Sequence, residues 1–433
     1  MSLVVGVDLG TGSARAVAID PDGVVVASAA APYEGRAGWV VGHADPHAWR
    51  AAVEAALGLL VSQVPPAFAP AALAVGGQSP AVVRSDGTAA LTVMHPDAGE
   101  SDPHEAHRRL VGALDIDGVD VVALQGWDWI LVALGAPHHQ GRWPETPALE
   151  GFGPVHRTGC VAGVATGGWG VAAGTPLVPG GPDAFMAFWA AAVDTAGRGL
   201  DPGGRTGGIG VAVAGADAPP GAYGLRSAVP GIDIVGGPVT AHGLAVEWWA
   251  RTTGRTIDSL LVEAATVEAG AGGLLALPYF EGERAPRWNR SLRAEIVGLD
   301  ATSDAAQVMR AFLEGCAYGL RHIVDSLVAD GVRLSDLVVA GSPARSPLWC
   351  QIKADVLGVP VEVPAHPDLA AYGAALAAGA AAGWWPRPGE GAPGDWPRGT
   401  YATIEPRYQP AYEMAYHRWV ALGDAAVARL SAP

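Results

Sequence analysis

A short turn near the start of the chain carries residue types that could bind a phosphate group. Two apolar, β-branched segments, residues 4–7 and 14–19, flank the sequence Asp8-Leu9-Gly10-Thr11-Gly12-Ser13. Glycines free such a turn from Cβ crowding, so its backbone N–H groups and hydroxyls can close around an anion. The carboxylate of Asp8 could hold a hydrated divalent cation, because Mg²⁺ favours one or two carboxylates plus substrate phosphates. The sequence therefore predicts a phosphate-binding β-hairpin; the alternative is a plain hairpin, since many sheets contain Asp-x-Gly turns.

Composition and charge exclude several classes of protein. The chain has 433 residues, half of them hydrophobic, and a net charge of -16. We therefore expect at least two domains, no nucleic-acid partner and no anionic membrane surface. Three scattered cysteines fit a reducing cytosol. No export signal is recognised before the first strand, and the longest small-apolar run, residues 370–385, is shorter than the ~20 residues that span a bilayer. The prediction is a cytoplasmic protein.

Strands alternate with helices along the chain, which is the pattern of a layered α/β protein. Asp45-Pro46 predicts a helix to about residue 61, with Asp as N-cap and Pro at the first helical position. Further strands are predicted near residues 24–27, 72–75, 176–178, 209–213 and 337–340, and helices near 242–253, 304–329, 347–357, 370–385 and 411–430. Residues 95–154 change to short polar pieces, which predicts a peripheral, substrate-facing region, and the Gly/Pro-rich residues 215–224 predict a hinge or boundary.

Five separated blocks give the chain a resemblance to a known family. They comprise residues 8–13; Gly38-Trp39 with Asp45-Pro46 and Trp49; residues 156–159, 174–176 and 180–183; residues 283–289, 298–299 and 314–315; and Gly341 with residues 344–355 and 360–361. On these blocks the chain is identified as a member of the FGGY carbohydrate kinases, in the actin-like superfamily, with some similarity to xylulose kinases. The resemblance implies an α/β fold of two RNase-H-like domains, residues 1–230 and 231–433, with the active site in the cleft between them and adenosine bound on the C-terminal side.

The resemblance also implies a reaction, the transfer of the γ-phosphoryl group of ATP to a hydroxyl of a small sugar (a ketose or pentulose) or polyol. Such a step needs positioning, neutralisation of charge by Mg²⁺ and a base for the hydroxyl proton. Asp183 matches the family's catalytic base, and a helix N-terminus there would keep its carboxylate ionised at neutral pH. The alternative for Asp183 is an ordinary helix cap. Asp8 is the implied ligand of Mg²⁺.

Other contacts carry over position by position. The implied ATP contacts are Asp8, Gly10, Thr11, Gly12, Ser13, Arg15, Thr206, Gly207, Gly341 and Ala344, and the implied sugar contacts are Gln78 and Asp97. Three residues of the ATP-binding motifs depart from the family pattern: Arg205 replaces a threonine in the second phosphate motif, and Ser342-Pro343 interrupts the glycines expected against adenosine. The region between residues 97 and 156 is also shorter than its family counterpart. The alternative to an active kinase is therefore a catalytically reduced relative that binds a sugar or a protein.

The histidines and the remaining acidic residues do not predict a metal site. His138 and His139 lie in a Gly/Pro loop, where solvated side chains are expected. His104 and His107, at i,i+3 after Asp102-Pro103, could share a helix face, but a metal site there is not favoured. The run Asp115, Asp117 and Asp120 lacks the glycine and glutamate of a calcium loop. The expected partner is a small sugar or polyol, and the resemblance is compatible with a homodimer.

Overall fold

The structure is a computed structural model and describes residues 2–35, 40–64, 69–93, 95–98, 103–114, 122–215, 222–399 and 401–431. Gly38-Trp39, the acidic run 115–120 and most of the predicted hinge 215–224 lie outside the described residues. Contacts within the chain divide it into two units. Unit 1 comprises Met1–Ala192, Arg226–Pro230 and Asp368–Gly399, and unit 2 comprises Val193–Leu225, Gly231–Pro367 and Thr400–Pro433.

The described elements follow one another in the α/β order that the sequence predicts. The strands are β1 (Val4–Leu9), β2 (Ser13–Ile19), β3 (Val25–Pro32), β4 (His43–Ala44), β5 (Leu73–Gly77), β6 (Ala81–Arg84), β7 (Ala90–Thr92), β8 (Ala123–Gln125), β9 (Gln140–Arg142), β10 (Val155–Arg157), β11 (Gly163–Val164), β12 (Pro176–Pro182), β13 (Arg198–Asp201), β14 (Gly208–Ala214), β15 (Tyr223–Arg226), β16 (Ile232–Pro238), β17 (Leu275–Leu277), β18 (Glu295–Val297), β19 (Asp336–Val339), β20 (Val361–Pro364) and β21 (Tyr401–Ile404). The α-helices are α1 (Pro46–Val61), α2 (Pro103–Ala113), α3 (Gly126–Leu134), α4 (Asp183–Ala190), α5 (Gly243–Thr253), α6 (Ile257–Ala264), α7 (Ala305–Leu327), α8 (Pro347–Leu357), α9 (Leu369–Ala381) and α10 (Pro410–Ser431).

Unit 1 is built on a six-stranded sheet with the order β11-β12-β5-β1-β2-β3. Strands β12, β5 and β1 are parallel, and β1, β2 and β3 form an antiparallel meander. The predicted hairpin is therefore confirmed as the β1–β2 connection. Because parallel strands end at the same edge of a sheet, the residues that follow β1, β5 and β12 share the edge at which α/β proteins bind ligands.

The alanine-rich helix α9 lies directly on this sheet. A Cβ added to Gly6 of β1 would come within 2.1 Å of the backbone nitrogen of Ala375, and one added to Gly373 would come within 2.2 Å of the carbonyl oxygen of Met186. Only glycine permits so close an approach. This packing explains why residues 368–399 belong to unit 1, whereas the sequence predicts a single division after residue 230.

Unit 2 is built on a seven-stranded sheet with the order β15-β16-β14-β13-β19-β20-β21. Strands β13, β19 and β20 are parallel. Helix α7 begins with a capping box between Asp304 and Gln307, and its buried face packs in the core of this unit. The connection from β13 to β14, residues 202–207, follows the carboxyl end of β13, beside the Gly341 segment that follows β19.

The predicted bounds of individual helices agree with the structure, whereas the prediction that residues 95–154 are peripheral and polar is wrong for residues 126–134. Helices α1 and α8 begin and end at the expected residues. Residues 126–134, expected to be peripheral and polar, instead form the buried helix α3, with Trp127 in the same hydrophobic core as Trp49. All three cysteines are free. No described helix is long and apolar enough to cross a membrane.

Candidate functional site

Asp8 is a buried carboxyl group at the end of β1. Its side chain is only 4% exposed, and Oδ1 has no hydrogen-bond partner among the described residues. Burial raises its pKa to about 7, with further increases from the negative charges of Asp183 and Asp368, while the Arg15 guanidinium opposes the rise. A buried oxygen without a partner is costly, so the site has an unsatisfied acceptor near neutral pH.

Arg15 connects two of these carboxylates. It lies opposite Asp8 in the β1–β2 register, and its Nη1 is 3.8 Å from Asp8 Oδ2. Its Nε lies 3.3 Å from Oδ1 of Asp368, the residue that precedes α9. The Arg15 side chain remains 40% exposed, so it can also reach a ligand. We name Asp8, Asp183 and Asp368 the carboxylate cluster.

Asp368 is a residue of this cluster that the sequence analysis missed. It lies more than 350 positions beyond Arg15 in the chain, and only the close packing of α9 on the sheet brings the two together. A local signal exists, because an acidic residue directly precedes a helix made almost entirely of small residues. That pattern indicates a helix packed against a sheet, with a carboxylate at the sheet edge.

Asp183 is the first residue of α4 and directly follows β12. It is half-buried, and its Oδ1 accepts a hydrogen bond from the backbone N–H of Ala184 at 2.8 Å. Burial raises its pKa above the usual range, although the Ala184 N–H and the Arg15 charge oppose the rise. Desolvation therefore opposes the stabilisation of the ionised form that is expected from the helix N-terminus.

A residue outside the hairpin, Tyr33, hydrogen-bonds to its turn. The hydroxyl of Tyr33 donates to the carbonyl of Gly10 at 2.9 Å, and the backbone N–H of Gly10 donates to Ser13 O at 3.2 Å. Thr11 is exposed at the tip, while Ser13 and Gly12 are partly exposed. Gln78 follows β5 at the same edge, where its N–H donates to Leu9 O at 2.9 Å. The structure thus brings Gln78 beside the hairpin.

The residues present fit Mg²⁺ bound together with phosphate. No group of three or more His, Cys, Asp or Glu side chains in the described part of the chain could hold a metal ion by itself. Mg²⁺ does not need one, because it commonly uses one or two carboxylates and completes its shell with waters and substrate phosphates. The unpartnered Oδ1 of Asp8 is the ligand atom that such a cation would use.

In unit 2, residues 202–208 form what we call the second glycine loop, which contains the predicted ATP contacts Thr206 and Gly207. The unusual Arg205 forms an ion pair with Glu247 of α5. Its guanidinium is therefore engaged by a carboxylate at the flank of the loop. Gly207 has a positive φ of 69°, and a Cβ there would lie 2.3 Å from His242 Nδ1, so the position requires glycine.

The segment predicted to meet adenosine follows β19. Gly341 adopts φ 64° and ψ -150°, a conformation essentially restricted to glycine. Pro343, which departs from the family pattern, is buried: its Cδ would lie 2.9 Å from a Cβ on Gly203. Ala344 is partly exposed in the same short 3₁₀ helix. The proline therefore packs against the second glycine loop.

In the predicted acceptor region, Asp97 is mostly exposed and His139 is buried. The predicted sugar ligand Asp97 is 61% exposed, and its Oδ2 lies 3.6 Å from His95 Nδ1. His139, expected to be solvated, is fully buried with its Nε2 3.1 Å from Oδ1 of the equally buried Asp128. That carboxylate also accepts the N–H of Gly141 at 2.8 Å. The solvation expectation for His139 is wrong because Asp128 of α3 and His156 of β10 lie against its ring.

Comparison with known proteins gives a family match and matching folds. Residues 228–382 match the C-terminal domain of the FGGY family of carbohydrate kinases. A glycerol kinase from Gloeobacter violaceus is 40% identical over 152 residues, which cover 34% of this chain and 30% of the relative. A glycerol kinase from Mycobacterium tuberculosis is 39% identical over 156 residues, covering 36% and 30%. The chain thus matches about 30% of the length of these curated relatives.

Solved structures resemble the chain over its whole length. The xylulose kinase from Lactobacillus acidophilus has a TM-score of 0.81 and 18% identity, covering 99% of both chains. The xylulose kinase from Rhodospirillum rubrum has a TM-score of 0.75 and 25% identity, covering 99% of this chain and 100% of that one. The chain has the two-domain, actin-like ATPase fold of these proteins, and its residues 228–382 are similar to the C-terminal domain of the FGGY carbohydrate kinases.

Proposed function

We propose that the protein is an ATP-dependent carbohydrate kinase that transfers the γ-phosphoryl group to a hydroxyl of a small sugar or polyol. The observation that carries the proposal is the carboxylate cluster with Arg15 at the carboxyl edge of the unit 1 sheet. The buried Asp8 and the half-buried Asp183, both with raised pKa, lie with one partly exposed guanidinium at this edge, an arrangement suited to phosphate chemistry.

In the proposed reaction Asp183 is the general base. The acceptor oxygen bonds to the γ-phosphorus as the bond to the bridging oxygen breaks and ADP leaves, and the hydroxyl proton passes to the Asp183 carboxylate. A carboxylate whose pKa is raised is a better proton acceptor than an ordinary aspartate. Arg15 donates to phosphate oxygens, as charged guanidinium groups do with high strength. Asp8 would hold Mg²⁺, which would neutralise charge on the phosphate groups.

A small ketose, and a pentulose such as xylulose in particular, is the proposed acceptor. The support is the full-length likeness, at 25% identity, to the xylulose kinase of Rhodospirillum rubrum. The glycerol kinase relatives make a polyol the second acceptor class to test. Within unit 1, Gln78 is the better placed of the two predicted sugar ligands, because it lies beside the hairpin, whereas Asp97 is mostly exposed.

The departures at Arg205 and Ser342-Pro343 favour a catalytically reduced relative, but the contacts of these residues weaken that interpretation. Arg205 is held by Glu247, and Pro343 is buried against Gly203. Restoring the family residue with Arg205→Thr should therefore change the ATP dissociation constant by less than about threefold, since an exposed ion pair contributes little. An increase of ATP affinity by tenfold or more on this substitution would favour an obstructed nucleotide site, and with it the reduced relative.

The experiment that tests the proposal is an ADP-release assay with Mg·ATP and a panel of acceptors: xylulose, ribulose, glycerol and gluconate. We expect one acceptor to stimulate ADP release, and expect Asp183→Asn to abolish the stimulation without loss of ATP binding. The matched control is Asp258→Asn, because Asp258 lies in the first turn of α6 and is exposed. An Asp183→Asn variant that keeps most of its acceptor-dependent turnover would rule out the base assignment.

A further inference from the structure

The most unusual side chain of unit 2 is Lys353, in the middle of α8. Among 27 lysine and arginine residues in the sequence, it is the only lysine. Its side chain is fully buried, as is that of Asp201, and Nζ lies 2.5 Å from Asp201 Oδ2. The ammonium also lies 4.7 Å from the centre of the Trp349 ring, a cation–π contact. The single lysine of the chain is therefore half of a fully buried ion pair.

Asp201 connects this pair to the start of the second glycine loop. It is the last residue of β13, and its Oδ1 accepts the backbone N–H of Gly203 at 2.9 Å. Its carbonyl oxygen accepts the N–H of Ala340 at 2.9 Å, directly before Gly341. A Cβ on Gly203 would lie 2.3 Å from Ala340 O. One aspartate thus ties the loop to the end of β19.

His242 connects the same pair to the far end of the loop. Its backbone N–H donates to Arg205 O at 2.9 Å, and Gly207 packs against its ring. The ring Nε2 lies 3.8 Å from Asp201 Oδ2, and the ring centre lies 5.0 Å from that of Trp349. Burial lowers the pKa of His242 to about 4, so the imidazole is neutral at pH 7. Both ends of the second glycine loop therefore converge on Asp201.

Fold stability alone does not account for a charged pair at this position. The free energy lost when two charges are desolvated can exceed the attraction between them. Buried ion pairs can therefore often be replaced by apolar residues without loss of stability. Although burial opposes ionisation, the Lys353 ammonium and the Gly203 N–H lower the pKa of Asp201. The Asp201 carboxylate is therefore ionised at neutral pH and is a strong acceptor for the Gly203 N–H.

We propose that Asp201 and Lys353 are positioning residues that hold the second glycine loop in the conformation that binds nucleotide phosphate, with Lys353 acting through Asp201. This inference rests on the proposed function, since it names what orders one nucleotide-binding segment. The loop needs an external anchor because four of its seven residues are glycine, which leaves its backbone little intrinsic preference. A preorganised loop avoids the cost of ordering when the ligand binds.

Three variants test the inference. Lys353→Met leaves Asp201 without its partner, and we expect ATP affinity to fall at least about tenfold. In the double variant Lys353→Met/Asp201→Asn, the amide oxygen can still accept the Gly203 N–H, and affinity should return to within about threefold of wild type. In Lys353→Met/Asp201→Leu the pair is replaced by apolar residues, so the protein should fold while ATP affinity stays at least about tenfold low.

The readouts are ATP titration calorimetry and hydrogen exchange of the Gly203 amide. We expect this amide to exchange at the wild-type rate in the Asn double variant and at least about tenfold faster in the Leu double variant. Equal ATP affinity and equal exchange in the two double variants would overturn the inference and leave the pair purely structural. If the wild-type protein bound no ATP, the proposed function would fail, while the exchange rates would still decide whether Asp201 holds the loop.

Discussion

Replacing Asp8 by Asn should make the protein more stable and less able to bind Mg·ATP. The Asp8 carboxyl is buried beside two other carboxylates, and its pKa rises from 3.8 to about 7. Because this folded-state pKa is higher than the unfolded value, the folded protein binds the extra proton. Stability is therefore fully present below about pH 4 and is lost as the pH rises through about 7. The neutral amide of asparagine does not titrate and escapes this loss.

The size of the effect follows from the shift in pKa. Each pKa unit corresponds to 1.36 kcal/mol, and the pKa of Asp8 rises by about 3 units on folding. Ionisation of Asp8 therefore lowers the unfolding free energy by about 4 kcal/mol at pH 8 and by about 1.5 kcal/mol at pH 5. The unfolding free energy of Asp8→Asn relative to wild type should therefore increase by about 2.5 kcal/mol between pH 5 and pH 8. Denaturant unfolding followed by tryptophan fluorescence at both pH values measures this difference.

Ligand binding should show the opposite effect of the same substitution. Mg²⁺ needs the ionised carboxylate, so its binding displaces the proton of Asp8. With a pKa of about 7, the apparent affinity of wild type for Mg·ATP should rise about tenfold from pH 6 to pH 8. The variant should bind weakly and without this pH dependence. A variant that is less stable than wild type at pH 8, or that keeps the wild-type pH dependence of binding, would refute the reasoning.

Two further predictions concern packing and burial. Gly6→Ala should destabilise the protein by about 3 kcal/mol in denaturant unfolding, because the new Cβ would lie 2.1 Å from Ala375 N. The control is Gly58→Ala. Gly58 is exposed in α1 with open space around it, so this substitution should stabilise the protein by about 0.5–1 kcal/mol. Asp128→Asn should cost about 3 kcal/mol at pH 6, because it breaks a fully buried pair. The Asp128 carboxylate helps to raise the pKa of His139, although burial opposes it. The stabilisation by the charged pair is therefore present below pH 6.5 and lost above the raised pKa, so unfolding at pH 9 should show a smaller loss. Equal losses at the two pH values would contradict a titrating pair.

Local patterns predict much of the site because its central residues lie at element boundaries. Asp8 ends a strand before a glycine turn, and Asp183 begins a helix after a strand, so strand and helix signals locate both without tertiary information. The same reasoning fixes α1 through its Asp45-Pro46 start. Their roles in nucleotide binding and proton transfer stay predictions, as do those of the other implied contacts.

The parts that sequence reasoning missed depend on contacts between distant segments. Asp368 contacts Arg15 only because α9 belongs to unit 1. For the same reason the chain does not divide once, after residue 230, as the sequence predicts. Lys353 and Asp201 are separated by 152 positions, and nothing in either neighbourhood indicates the other. The desolvation that raises the pKa of Asp183 was missed for the same reason, because it depends on the packing around the residue.

The most direct test of the central claim is titration calorimetry of Mg·ATP into the purified protein without any sugar. An acceptor panel alone can fail because the right sugar is absent, whereas nucleotide binding needs only the residues described above. We expect binding in the micromolar range, weakened by Asp8→Asn. No detectable binding of Mg·ATP at millimolar concentration would contradict it and would make Asp183 an inherited residue of a protein that no longer transfers phosphate.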